Sequence, residues 1–273
     1  MSQHGLKHRH LHFIALGSAI GTGLFYGSAG AIQAAGPSVL VVYLLAGAVV
    51  YFMLRALGEM AVRHPITGSF AGYARMFMGG WAGYITGWMF AFEMVIVALA
   101  DLTAIGVYMR FWFPDVSQWV WVAATLLIVG GANLATVKAF GEIEFWFSII
   151  KIVAIMALVV VGVLMVLRGF TAPNGAHAQF SNIWRGGLFP NGASGFFGAF
   201  QIAIFAFVGT ELVGTAAAEA KDPEVTLPRA INAIPVRIVL FYLGALAAIM
   251  AVTPWQEINP EDSPFVAMFA LAG

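Results

Sequence analysis

The first membrane-length apolar stretch of this chain, residues 12–34, is interrupted by three glycines in the run Gly17-Ser-Ala-Ile-Gly-Thr-Gly23. Each glycine destabilises a helix by about 1 kcal/mol relative to alanine. A helix break at bilayer depth also frees backbone N–H and C=O groups that lipid cannot satisfy, so it persists only inside protein or beside a wet cavity. The run therefore predicts a binding site built from backbone groups, which is typical of a transporter.

The apolar character extends along the whole chain. Of its 273 residues, 61% are hydrophobic and 10% are charged, with a mean hydropathy of +0.88, whereas soluble proteins carry about 25% charged residues. This composition predicts a polytopic, all-α integral membrane protein. The formal net charge of zero gives no indication of a nucleic-acid partner, and the absence of cysteine excludes disulfides and thiol chemistry.

Apolar runs of about 20 residues predict membrane-spanning helices. An eighth apolar segment begins near Ser263 and stops at Gly273. Between the second and third spans, the spacing of Phe70, Tyr73 and Phe77 predicts a short amphipathic helix. The seven full spans are predicted at residues 12–34, 38–61, 81–112, 119–137, 144–167, 195–219 and 235–255.

The distribution of basic residues predicts a cytoplasmic N-terminus. With that orientation three basic residues lie outside (Arg110, Arg168 and Arg185), and Lys151 lies within a span. No cleaved signal peptide is predicted, because the usual small-residue cleavage site is lacking. Nine basic residues lie inside, namely Lys7, Arg9, Arg55, Arg63, Arg75, Lys138, Lys221, Arg229 and Arg237.

A second interruption lies in the sixth predicted span, where Phe205-Ala-Phe-Val-Gly-Thr-Glu211 is followed by Gly214. It comes five spans after the first break, so the two helices cross the membrane in opposite directions. Paired interrupted helices in two oppositely oriented halves indicate an inverted-repeat transporter. The alternative is that the small residues serve only close helix packing.

Several motifs resemble the amino acid permeases of the amino acid–polyamine–organocation superfamily. They are Gly17–Phe25, Arg55–Met60, Gly141–Phe147, Gly209–Leu212, Glu219–Pro223 and Pro228–Asn232, and the resemblance runs from His10 to the C-terminus. The first half is most similar to proline- and histidine-type bacterial permeases. The stretch from Gly195 to Pro264 is more similar to permeases for D-serine, D-alanine and glycine, so the substrate stays open.

The resemblance implies a LeuT-like bundle of five plus five inverted spans with discontinuous first and sixth helices. It also implies a multi-pass protein of a bacterial cytoplasmic (inner) membrane. The corresponding organisation is a cytoplasmic tail at 1–11, a first repeat at 12–167, an extracytoplasmic loop at 168–194 and an incomplete second repeat at 195–273. Because the chain stops in the eighth span, we expect either a transporter fragment or a truncated product that does not transport.

An amino acid zwitterion needs donors for its carboxylate and acceptors for its ammonium group. N–H groups freed at the first break suit the carboxylate, helped by the positive end of the helix dipole. The resemblance assigns this role to Ser18, Ala19, Gly21, Thr22 and Gly23. Freed carbonyls at the second break suit the ammonium group, which assigns Phe205, Ala206 and Gly209, with Phe207 as a possible gate.

Ionisable residues inside spans are costly and are functional candidates by default. The resemblance places Lys151 where sodium-dependent relatives bind a coupling sodium ion, which predicts proton coupling and no other cofactor. Glu211 at the second break and Glu219 at the cytoplasmic end of the sixth span are further proton-coupling candidates. Glu93 and Asp101, eight residues apart on one helix face, are candidates for lining the cavity.

Four classes of function were weighed. The first is a proton-coupled importer of an amino acid that works by alternating access. The second is a seven-helix receptor of retinal type, which would need a lysine in its last helix for a Schiff base, and the sequence has no lysine between Ile238 and Trp255. The third is a membrane enzyme, but the sequence contains neither the hydrolase nor the metalloprotease signature. The fourth, a truncated remnant that does not transport, stays open. The histidines His4, His8, His10 and His12 indicate a solvated basic tail rather than a metal site. The expected partners are the amino acid and the bilayer, with no prediction of oligomeric state.

Overall fold

The computed structural model describes residues 20–64, 66, 68–134, 137–210, 228 and 231–272, with the backbone alone for 137–141. Within this part of the chain the regular structure is helical, and strand-like pairing is limited to an isolated bridge between Thr171 and His177. The prediction of an all-α protein is therefore confirmed for the described residues.

The helices are numbered here in chain order. A π-helical turn, Ile238–Leu243, joins α9 to α10, and 3-10 turns lie at Gly36–Ser38, Phe180–Trp184 and Trp255–Glu257. The α-helices are α1 (Thr22–Phe25), α2 (Gly27–Ala35), α3 (Val39–Arg63), α4 (Ser69–Met78), α5 (Gly80–Trp112), α6 (Gln118–Asn133), α7 (Val137–Leu167), α8 (Gly192–Ala206), α9 (Ile234–Arg237), α10 (Gly244–Val252) and α11 (Pro264–Ala272).

Four helical segments in the described part of the chain are long and apolar enough to cross a membrane, judged by length and composition. They are Gly27–Arg63, Gly80–Trp112, Glu142–Leu167 and Ile234–Val252. The helices α6 and α8 are also apolar but shorter. Along α5, large side chains stand exposed at successive turns, with Trp81 at 66% and Phe92 at 67%. Water would penalise such a surface, whereas lipid tails solvate it, so the exposed rings support a membrane protein.

The amphipathic helix predicted between the second and third spans is present as α4. Its Tyr73 is buried, and the Tyr73 hydroxyl donates a hydrogen bond to the backbone oxygen of His64 at 2.9 Å. Phe77 was expected on the same apolar face, but its side chain is 58% exposed and its ring meets the His64 ring edge-on at 5.8 Å. The apolar face of α4 is therefore narrower than the spacing indicates.

The described chain divides into two compact units. Among the described residues, the first contains those between 52 and 147 with 210, 228, 231 and 232, and the second contains 20–51, 148–209 and 233–272. In the first unit, α4 packs on α5, where a Cβ added to Gly83 would lie 2.6 Å from the Cβ of Arg75. Small residues thus bring the helices of this unit close together.

The second unit contains both helix breaks and most of the large side chains that are fully buried. Its helix α10 is buried over most of its length, and a Cβ added to Gly162 of α7 would lie 2.9 Å from the Cβ of Ala248. Fully buried large side chains of this unit include Leu24, Ile32, Tyr43, Ile155, Leu158, Tyr242, Leu246 and Ile249.

The segment between α7 and α8 is tied down by side-chain hydrogen bonds. The buried Asn182 amide donates to the backbone oxygens of His177 at 2.8 Å and Ala251 at 3.0 Å. The Trp255 indole donates to the backbone oxygen of Arg185 at 2.8 Å. These bonds dock the segment on the C-terminal end of α10, because the last carbonyls of a helix have no partner within it.

The packing of α8 yields a first prediction. A Cβ added to Gly195 would collide with the backbone oxygen of Ala34, whereas a Cβ added to Gly198 would meet nothing within 4 Å. We therefore expect Gly195→Ala to lower the free energy of unfolding by about 1–3 kcal/mol through overpacking. Gly198→Ala, on the same helix, should leave it unchanged or raise it by up to about 1 kcal/mol. Thermal unfolding in detergent measures both, and equal melting temperatures for the two variants would contradict the packing.

Candidate functional site

The first predicted break is visible on its C-terminal side. Gly21 has extended backbone, with φ −131° and ψ −170°, and helix α1 begins at Thr22. The N–H groups of Leu24 and Phe25 both donate to the oxygen of Gly21, at 3.0 and 3.3 Å, so the first helical turn starts directly after the break. The helix bends at Tyr26 before α2, so a single turn follows the break directly. Ser18 and Ala19 lie outside the described residues.

The second predicted break is also present. Helix α8 ends at Ala206 within the sixth predicted span, and the residues that follow form turns. Gly209 has φ +98°, a conformation that favours glycine because a side chain would be strained there. Residues 211–227, which include Glu211 and Glu219, lie outside the described part of the chain.

The structure brings the two breaks together. A Cβ added to Gly23 would come within 2.7 Å of the backbone nitrogen of Ala206 and closer still to its Cα. One turn further, a Cβ on Gly27 would lie 3.3 Å from the Ile202 side chain. Helices α1–α2 and α8 therefore run antiparallel in direct contact, as expected for broken helices of opposite orientation.

The far ends of the same two helices are joined by Asn191. Its side-chain amide donates to the backbone oxygens of Gln33 and Ala34, both at 2.9 Å. These are terminal carbonyls of α2, so the residue before α8 caps the end of its antiparallel neighbour. The pair is thus fixed at both ends, and the level at which the two breaks meet is determined by this register.

The carbonyls assigned to an ammonium group already accept hydrogen bonds. The N–H of Val208 donates to the oxygen of Phe205 at 3.2 Å, and the Tyr242 hydroxyl donates to the oxygen of Ala206 at 2.9 Å. The Phe205 oxygen is also approached by the N–H of Phe207. A carbonyl oxygen has two lone pairs, so a ligand could take a place beside Tyr242 on the Ala206 oxygen. A ligand at this break would share these oxygens rather than find them unused.

Phe207, the candidate gate, lies in an aromatic stack. Its side chain is 3% exposed and its ring stacks on Tyr242 with centroids 4.5 Å apart and an interplanar angle of 25°. The ring of Tyr43 lies 6.2 Å from Phe207 and 6.0 Å from Tyr242. A gating movement of Phe207 would therefore first have to break this stack.

Lys151 lies on the inward face of α7, in the same unit as both breaks. It is half-buried and follows the helical spacing of the buried residues Ser148, Ile155 and Leu158. The opposite face carries exposed apolar side chains, among them Trp146 and Val153. This placement favours a functional lysine over one that extends along the helix surface towards the lipid headgroups.

The acidic candidates Glu93 and Asp101 lie in the first unit. Both are half-buried and share the less exposed face of α5 with the buried Ala104. No cluster of three or more His, Asp or Glu side chains suited to a metal occurs among the described residues. The four N-terminal histidines lie outside that part of the chain, so the absence of a metal site stays a prediction.

Hydroxyl groups that the sequence reasoning missed hold both broken helices. The Ser263 hydroxyl, before α11, donates to the backbone oxygen of Phe25 at 2.7 Å. Tyr242 plays the corresponding part at Ala206. No local motif marks either residue, since their partners are distant in the sequence. Arg237, which the sequence analysis counted only among the cytoplasmic basic residues, is 5% exposed, and a buried ionisable residue in a spanning segment is a functional candidate.

Comparison with known proteins decides the family. The sequence matches the amino acid permease family over residues 10–273. The chain belongs to the amino acid permease family. It is 54% identical over 269 residues to the D-serine/D-alanine/glycine transporter of Escherichia coli strain K12, an alignment that covers 98% of this chain and 57% of that protein. The resemblance found in the motifs is therefore confirmed.

Two Bacillus subtilis proteins are about half identical to this chain. The amino-acid permease AapA is 50% identical over 270 residues, covering 98% of this chain and 58% of its own length. The uncharacterized transporter YdgF is 49% identical over 272 residues, an alignment that covers 99% of this chain and 59% of YdgF. The names of these relatives describe transporters or permeases. The chain spans less than two thirds of the length of these curated relatives.

The apposition of the breaks generates a second prediction. Gly23→Ala should force the first helix away from the Ala206 backbone and lower the free energy of unfolding by about 1–3 kcal/mol. Gly21→Ala is the matched control, since its Cβ would meet nothing within 4 Å and its backbone is extended. Both variants keep every backbone N–H. Melting temperatures in detergent should fall for Gly23→Ala only; a fall of equal size in both would argue against the contact.

Proposed function

We propose that this permease chain forms part of a secondary transporter that imports an amino acid across a bacterial cytoplasmic membrane. Its N-terminus would be cytoplasmic, in line with the excess of basic residues on that side. The fold would be a LeuT-like inverted repeat, with a first repeat at 12–167 and part of a second at 195–273. Transport would proceed by alternating access around the two broken helices.

One observation carries this proposal: two interrupted helices of opposite direction meet at their breaks, Gly23 against Ala206, in a member of a permease family. At the first break, backbone N–H groups of Gly21, Thr22 and Gly23, together with the preceding Ser18 and Ala19, would hold the carboxylate. At the second, Phe205, Ala206 and Gly209 offer carbonyl acceptors for an ammonium group. The arrangement provides complementary groups for the two ends of a zwitterion.

The substrate class we propose is a small neutral amino acid. The printed name of one relative specifies D-serine, D-alanine and glycine. The close contact of Gly23 with Ala206 leaves little room for a large side chain at the junction of the two breaks. Glycine and D-alanine are therefore the first substrates to test, with L-proline and L-histidine as competitors because the first half of the chain resembles those permeases.

The coupling ion we propose is a proton. Lys151 would take the place of a sodium ion, and Glu211 and Glu219 would carry or relay the proton. A lysine on the inward face of α7 is consistent with this role, because an ammonium group there can hold backbone carbonyls that a sodium ion would otherwise hold. Glu93 and Asp101 would line the cavity.

Uptake by the chain in proteoliposomes tests the function. Radiolabelled glycine or D-alanine should accumulate when an inward proton gradient is imposed, and replacing sodium with potassium should leave the rate unchanged. Empty liposomes and liposomes with a collapsed proton gradient are the controls. Binding of the amino acid without uptake would indicate a chain that holds the site without completing transport. Absence of both binding and uptake would contradict the proposed function.

The proton-coupling hypothesis predicts a distinct outcome for Lys151. Lys151→Ala should slow proton-driven uptake at least about tenfold, since hydrogen bonds to a charged group contribute about 1.5–3 kcal/mol. Exchange of labelled for unlabelled amino acid, which needs no net proton movement, should fall less. Ile150→Ala, an exposed neighbour, is the control. Sodium-dependent uptake that survives Lys151→Ala unchanged would overturn the coupling model.

A further inference from the structure

The second helix break rests on an aromatic cluster formed by Tyr43, Phe207 and Tyr242. Tyr43 and Tyr242 are each at most 1% exposed, and all three rings lie within 6.2 Å of one another between centroids. The two tyrosines come from α3 and from the π-helical turn, far apart in the sequence. Their hydroxyl groups differ in one respect: that of Tyr242 has a backbone acceptor, whereas that of Tyr43 has no hydrogen-bond partner among the described residues.

The hydrogen bond of Tyr242 completes the end of α8. The oxygen of Ile204 accepts from the N–H of Phe207 at 3.0 Å, and that of Phe205 accepts from Val208. The next carbonyl, that of Ala206, is bonded by the Tyr242 hydroxyl. Ala206 is buried, so loss of that donor would leave a buried acceptor short of a partner, which costs free energy.

The backbone around Tyr242 is arranged to make this bond. Residues Ile238–Leu243 form a π-helical turn, a local irregularity that interrupts an α-helix and is frequent at functional sites. The turn rotates the side chains after it relative to those before it. The turn packs directly against Gly47 of α3, where a Cβ would lie only 2.7 Å from the Ile238 side chain. The irregular turn and the facing glycine together seat the Tyr242 hydroxyl against the break.

We propose that Tyr242 is the positioning residue of the second helix break. Its hydroxyl holds the Ala206 carbonyl and its ring holds Phe207, so it determines which backbone acceptors face a bound amino acid. The consequence for the ligand rests on the proposed function, because it concerns the ammonium group of that amino acid. The consequence for the backbone does not, because the hydrogen bond and the stack exist without any ligand.

This role has two physical consequences. One lone pair of the Ala206 oxygen is engaged by Tyr242, so the remaining lone pair has a fixed direction for an incoming ammonium group. Phe207 leaves its buried position only if its stack on Tyr242 opens. Any movement of Phe207 during transport is therefore coupled to the same side chain that fixes the acceptor. Tyr43 packs beside both rings but contributes no such bond.

A matched pair of variants separates positioning from packing. Tyr242→Phe removes only the hydroxyl that bonds Ala206, and Tyr43→Phe removes only the buried hydroxyl without a partner in the described structure. Both keep the three rings. Hydrogen exchange of a peptide covering residues 204–210, followed by mass spectrometry of the full chain in detergent, reports on the break directly. We expect exchange to quicken about two- to tenfold in Tyr242→Phe, the range of one lost hydrogen bond, and to stay unchanged in Tyr43→Phe.

Binding of labelled glycine to the same preparations gives the second readout. We expect the dissociation constant to rise about two- to tenfold in Tyr242→Phe and to remain at the wild-type value in Tyr43→Phe. Tyr242→Leu, which also removes the ring, should quicken exchange further because Phe207 loses its stacking partner.

The outcomes separate the two proposals. Unchanged exchange in Tyr242→Phe, or equal quickening in both phenylalanine variants, overturns the positioning role. If exchange quickens in Tyr242→Phe alone while the wild-type chain binds no amino acid, the positioning of the break stands and the proposed function fails. If the wild type binds glycine and Tyr242→Phe binds it equally well despite quickened exchange, the link between Tyr242 and the ammonium acceptors is refuted.

Discussion

The contact between Gly23 and the backbone of Ala206 is the constraint on which the second unit depends. Two helices that stop at the depth of a bilayer leave backbone groups that lipid cannot satisfy, so the stops must be buried against each other or against side chains with matching groups. A glycine at residue 23 admits the Ala206 backbone, and Asn191 fixes the opposite ends of the same helices. With the register fixed at both ends, the donors of one break and the acceptors of the other lie at one level.

The freed backbone groups are satisfied largely within the second unit. Turn hydrogen bonds take the carbonyls of Ile204 and Phe205, and hydroxyl groups from later helices take those of Ala206 and Phe25. Helix packing and ligand binding are therefore not exclusive explanations for the small residues. The glycines let the helices approach, and in the proposed function that approach would present polar backbone from two helices to a shared ligand.

Much of the architecture follows from sequence periodicity and length. The predicted spans at 38–61, 81–112 and 144–167 correspond to α3, α5 and α7, and the breaks occur where glycines interrupt the apolar runs. The sequence reasoning was weaker on side chains. Phe77 was expected on an apolar face and is exposed. The buried stack of Phe207 on Tyr242 was not foreseen, and the role of Phe207 as a gate stays a prediction. Spacing along one helix does not specify which neighbour covers it.

By itself, the sequence determined the class of protein, the place of several long apolar helices and the two points at which helices stop, because these depend on local hydrophobicity and on the low helix propensity of glycine. It also determined the family through motifs in a fixed order. Only the tertiary structure decided that the two stops face each other, that Lys151 lies on an inward face and that Tyr242 bonds Ala206. Those facts depend on the register between helices distant in sequence and on the rotation introduced by a π-helical turn, which local composition does not encode.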